Sequence, residues 1–174
     1  MRAILASFLG ALLAATPALA SEKDGWEVLH SPAKVFAIQD MEGKALRSTE
    51  LAGKVVVIDF WATWCAPCLK ELPALAGLHD RLKDRTDVVL LSFNVTDELK
   101  TLQKFVKDKQ VGFPVYRADA LVGPYELTTF PTKLVIDMRA GGRGNPGLVR
   151  FRREGETSVT SIEARVSEIL AEKP

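Results

Sequence analysis

Apolar and polar positions along this 174-residue chain change period several times, and each change predicts an element. Val55-Val56-Val57-Ile58-Asp59-Phe60 is a β-branched run of the kind that fills a central strand buried on both faces, interrupted only by Asp59. Leu72, Leu75, Leu78 and Leu82 then recur at helical spacing, with Pro73 placed to kink the helix they predict. Val88 to Val95 reads as the next parallel strand. Asp97-Glu98-Leu99 opens a second helix, with Asp97 as its cap and Leu99, Leu102, Phe105 and Val106 facing inward. Upstream, Val35 to Leu46 forms two short strand-like runs around the turn Asp40-Met41-Glu42-Gly43, and Ser48 to Leu51 reads as a brief helical turn. Downstream come a short extended piece at Phe113 to Tyr116 and a turn of helix within Ala120 to Leu127. Two antiparallel strands follow, Lys133 to Asp137 and Leu148 to Arg152, then a closing helix, Ser161 to Ala171. The order predicts an α/β sandwich, a central mixed β-sheet flanked by helices, with an N-terminal β-hairpin.

The length suits one buried domain and shows no internal repeat. Met1-Arg2, an apolar run from Ala3 to Ala15, Pro17 and the small-residue site Ala18-Leu19-Ala20 form a secretory signal pattern. That run is shorter than the roughly 20 residues a spanning helix needs, so cleavage after Ala20 is expected rather than an uncleaved anchor. The expected organisation is a leader at 1–20, a lead-in of limited order at 21–34, and one domain at 35–174. Export to the periplasm follows. Loss of Arg2 leaves the mature chain charge-balanced, which argues against a nucleic-acid partner.

Both cysteines fall in Trp64-Cys65-Ala66-Pro67-Cys68, between the central strand and the leucine-striped helix. A pair opening a helix puts Cys65 where unpaired N–H groups and the helix dipole favour a thiolate, so it is expected to be exposed, with a lowered pKa, and to act as nucleophile. Cys68, one turn inward, resolves the mixed disulfide. A structural staple is the weaker reading, because so short a loop constrains little of the unfolded chain.

Val57 to Cys68, with Glu71, Pro73, the Gly53-Lys54 pair and Phe130-Pro131-Thr132, resembles the TlpA/ResA-like branch of thioredoxin-fold disulfide oxidoreductases. The resemblance implies a thioredoxin-like sandwich from Val35 onward and a protein-disulfide reductase without cofactor. Carried over residue by residue, it makes Asp59 the buried proton acceptor for Cys68 and Glu71 a glutamate that tunes the cysteines. It makes Pro131 a cis-proline facing the pair, beside which main chain pairs with substrate. Trp64, Pro67 and Phe130 complete the substrate-binding surface, while Trp61 is expected in the core. The implied partners are a disulfide-containing client, such as apocytochrome c or a copper-site assembly protein, and a membrane thiol donor of the DsbD/CcdA type acting on a monomer.

Competing readings lack residues. His79 lies 11 residues past Cys68, about 16 Å along a helix, too far to share a metal with the pair. A thiol peroxidase of this fold would want threonine where Ala62 stands. A redox-sensitive binding protein or chaperone without turnover remains the alternative from another class. Gly141 to Gly147 lengthens the last hairpin beyond what the resemblance requires and reads as a flexible surface loop.

Overall fold

The computed structural model describes residues 24–139, 141 and 146–173; the expected leader and residues 142–145 of the glycine-rich loop lie outside the described residues. The strands are β1 (Glu27–Pro32), β2 (Ala37–Asp40), β3 (Ala45–Arg47), β4 (Val55–Trp61), β5 (Val88–Asn94), β6 (Val115–Arg117), β7 (Thr132–Asp137) and β8 (Leu148–Glu154). The helices are α1 (Ala66–Leu82), α2 (Leu99–Asp108) and α3 (Val159–Ala171), with single 3-10 turns at Ser48–Leu51 and Asp119–Leu121. The strands form one mixed sheet in the order β1-β8-β7-β4-β5-β6-β2-β3.

β4 lies inside the sheet, parallel to β5 and antiparallel to β7, with all its residues buried. Val55 and Val57 pack under Leu75, Leu78 and Leu82 of α1 and Ile162, Val166 and Ile169 of α3. Val56, Ile58 and Phe60 fill the opposite face with Phe36, Ile38, Leu51, Phe93 and Tyr125. Each such side chain gains about 1.5–3 kcal/mol on full burial, which is why the strand carries no alternation. The mixed sandwich with its β2–β3 hairpin is the expected one, and the hairpin joins the sheet through β6.

Four local expectations change. The lead-in is not loose: β1 pairs with β8, and Trp26 is buried, its Nε1 donating to Ser161 Oγ at 2.8 Å and its ring edge-on to Phe151. β1 is otherwise exposed, so its strand register comes from β8 and not from its own periodicity. Asp97 does not cap α2, whose first-turn cap Glu98 makes no side-chain bond, and Leu99 is exposed. The helical turn within Ala120 to Leu127 shrinks to the 3-10 turn at Asp119–Leu121. Gly147, at the end of the glycine-rich loop, has φ +83°, and an added Cβ would lie 2.6 Å from the Asp137 carbonyl oxygen; that position is held against β7 rather than loose.

Candidate active site

The chain leaves β4 at Trp61, which is fully buried and donates its Nε1–H to Ser92 Oγ at 2.8 Å. Four residues later Cys65 caps α1, its Sγ accepting the Cys68 N–H at 3.3 Å. Cys65 and Cys68 form a disulfide, with Cα atoms 5.3 Å apart. α1 continues through Pro73 to Leu82. The expectation of an exposed Cys65 is corrected: it is 4% exposed and Cys68 2%. Leu72 of α1, Leu102 of α2, Phe113 and Val115 pack with the pair in one buried cluster, together with Trp61 and Ala62. The two neighbours of Cys65 are exposed instead, Ala66 and, at 63%, Trp64.

The Phe130–Pro131 peptide is cis, and Phe130 packs against the cluster that contains both cysteines. Its ring lies edge-on to Trp64 at 5.8 Å, giving a partly exposed aromatic rim beside the disulfide. Pro131 itself is buried and its carbonyl already accepts Gly155 N–H at 2.8 Å. Among the described residues the Phe130 amide and carbonyl have no hydrogen-bond partner, so the main chain free to pair with an incoming strand lies before the proline rather than at it. Pro67, half-buried in the first turn of α1, brings no N–H to the sulfurs.

Behind the disulfide lies a charged cluster that the sequence reading only half anticipated. Asp59 sits on the α1 face of β4, directly across from Lys133 of β7 in the antiparallel register. Lys133 Nζ is 3.1 Å from Asp59 Oδ1 and 2.7 Å from Glu71 Oε2, and all three side chains are at least nine-tenths buried. The other Glu71 oxygen accepts Thr157 N–H at 2.6 Å. Glu71 follows Cys68 by three residues on α1, a spacing that puts both on one helix face. Neither acid is a solvated surface carboxylate.

Burial pushes the Asp59 carboxyl above its ordinary 3.8, with the Lys133 ammonium opposing it. Burial alone would lower Lys133, but Asp59 and Glu71 together outweigh it and hold the ammonium charged, above its ordinary 10.5. One ammonium thus serves two acids, and it is hydrogen-bonded to Glu71. Lys133 was missed because it reads as the polar first residue of a strand; the available signal was a lysine heading the otherwise apolar run Leu134-Val135-Ile136. Among the described residues no three His, Cys, Asp or Glu side chains converge to hold a metal, and no helix is long and apolar enough to cross a membrane.

A Cys-x-x-Cys disulfide capping the helix after a central strand, with a cis-proline loop beside it, defines a thioredoxin-fold protein of the dithiol/disulfide kind. The chain belongs to the AhpC/TSA family, which it matches over residues 29–138. It is 33% identical over 104 residues, 59% of its length, to the thiol-disulfide oxidoreductase ResA of Bacillus cereus. To ResA of Bacillus subtilis it is 32% identical over 109 residues, 62% of its length. The matched region spans about 60% of the length of these curated relatives. Among solved structures it is similar to a thiol:disulfide interchange protein of the thioredoxin family from Chlorobium tepidum. There the TM-score is 0.68 and the identity 26%, with 82% of this chain and 97% of that one covered. The likeness to the ResA-like branch drawn from the cysteine motif is borne out.

Proposed function

We propose that this is an exported thiol-disulfide oxidoreductase that reduces disulfides in periplasmic client proteins. The observation that carries the reading is the Cys65–Cys68 disulfide at the start of α1, with an aromatic rim outside it and the Asp59–Lys133–Glu71 cluster behind it.

In the reduced protein the Cys65 thiolate attacks one sulfur of a client disulfide, forming a mixed disulfide and expelling the other client sulfur as a thiolate. Cys68 gives its proton to Asp59 and attacks Cys65 Sγ; the remaining client thiolate leaves and the Cys65–Cys68 disulfide forms. Two electrons have then passed to the client, whose two thiolates take up protons. Reduction by a membrane dithiol donor of the DsbD/CcdA type returns the enzyme to its starting state. Trp64, Phe130 and the unpaired Phe130 main chain receive the client beside the sulfurs, and Pro67 borders them. The signal pattern at Met1 to Ala20 supports export.

The reductive direction is supported by how little holds a thiolate at Cys65. Ala66-Pro67 offers no histidine, Pro67 no N–H, and the one backbone donor to Sγ comes from Cys68. A less stabilised thiolate means a lower potential, nearer the thioredoxin value of about −270 mV than the strong-oxidant value of about −120 mV. The test is equilibration of the chain lacking its leader with glutathione, together with insulin reduction from a dithiol donor. A potential above about −150 mV, or failure to turn over insulin, overturns the reductase reading. In the reduced protein iodoacetamide is expected to label Cys65 before Cys68; the reverse order would exchange their roles.

A further inference from the structure

Between the end of β5 at Asn94 and the start of α2 at Leu99, two residues adopt arrangements that local stability does not favour. Thr96 has φ +67°, a left-handed conformation that glycine or asparagine tolerates and a β-branched residue does not. Its N–H donates to Asp119 Oδ1 at 2.7 Å, and its hydroxyl accepts the Trp64 indole N–H at 3.3 Å. Asp97, beside it, is buried and turned away from the helix it could cap. Its carboxylate instead accepts Thr63 N–H at 2.6 Å, Thr63 Oγ1–H at 2.7 Å and Asn94 Nδ2–H at 2.7 Å. Both residues therefore forgo a cheaper local choice, and both grip the dipeptide that immediately precedes Cys65.

We propose that the Thr96–Asp97 turn is a positioning device for client docking: Asp97 fixes the backbone at Thr63, and Thr96 holds the exposed Trp64 indole in place against Phe130. The inference rests on the client-reducing function proposed above and adds a specificity-determining residue to it. An indole as exposed as that of Trp64 would otherwise exchange rotamers, and a docking client would have to order it. Holding it beforehand removes that entropic cost, which for one immobilised side chain corresponds to roughly 2- to 10-fold in affinity. Thr96 touches no sulfur in this arrangement; it acts through Trp64.

The test compares Thr96→Gly and Thr96→Ser in the otherwise unchanged protein. Two readouts are taken: the order of the Trp64 indole N–H by 15N relaxation, and the split between KM and kcat for insulin. Thr96→Gly suits the left-handed backbone and lacks the hydroxyl. It is expected to fold normally, to lose indole order, and to raise KM roughly 2- to 10-fold with kcat retained. Thr96→Ser keeps the hydroxyl and is expected to match the wild type in both readouts. An indole equally ordered in Thr96→Gly overturns the proposal, as does an unchanged KM or a loss confined to kcat. If the wild type fails to reduce insulin, the functional reading fails by itself, and the relaxation comparison still decides whether Thr96 holds the ring.

Discussion

Replacing Lys133 with methionine keeps an unbranched stem in a fully buried position but removes the ammonium shared by Asp59 and Glu71. Removing one partner of a buried ion pair costs about 3–5 kcal/mol, because the other charge is left without compensation. For a chain of this size that corresponds to a fall in Tm of roughly 6–20 °C. The loss must depend on pH. An acid whose folded pKa is raised contributes stability that is full below its unfolded value and lost as pH rises through the folded value. Asp59 is already above its ordinary 3.8, and without Lys133 nothing opposes the effect of burial. The destabilisation of Lys133→Met is therefore expected to be small near pH 4 and to grow toward its full size by pH 8. Lys133 itself does not blur this window, since its ammonium is held above 10.5 and its contribution is lost only beyond that value. Urea unfolding of the oxidised wild type and variant from pH 4 to 9 measures the effect. A loss that is the same at pH 4 and pH 8, or below about 1 kcal/mol at pH 8, would refute the shared-ammonium argument.

Asp59→Asn leaves Lys133 bonded to Glu71 and removes a carboxyl that burial disfavours in its charged form. Unfolding should show a gain of roughly 1–3 kcal/mol at pH 8 that vanishes near pH 4, while single-turnover kinetics show that, relative to wild type, resolution of the mixed disulfide is slowed more than its formation. Unchanged resolution from pH 6 to 9 would remove Asp59 from proton transfer. Trp26→Ala empties a buried site that ties β1 to α3 and is expected to cost about 3–5 kcal/mol by chemical denaturation. A cost under about 1 kcal/mol would return residues 24–32 to the status of a loose lead-in.

The central strand, the leucine-striped helix and the buried Trp61 were legible because each is written in local sequence: a β-branched run broken only by Asp59, and apolar positions at helical spacing. The cysteine pair was legible for the same reason, since its place at the start of α1 follows from where the strand stops and the stripe begins. β1 was not, because an exposed edge strand has no apolar face of its own and exists through its partner β8.

What the sequence alone determined, then, is every feature whose burial follows from its own period, β4 and α1, and the place of the cysteine pair between them; the burial of Cys65 came from the packed neighbours. The tertiary structure decided which polar residues meet. Asp59 and Lys133 face one another only because β4 and β7 run antiparallel in a register that pairs them, and Glu71 joins them only because α1 crosses that face of the sheet. Asp97 faced the same kind of choice, a helix cap or Thr63, and the fold settled it by bringing Thr63 N–H and Oγ1–H within 2.7 Å of its carboxylate. A buried charge must be satisfied by whatever donors the packed chain supplies, and apart from Asn94 beside Asp97 the donors here, Thr63, Lys133 and Thr157, lie tens of residues from the carboxylates they serve, beyond the reach of any local pattern.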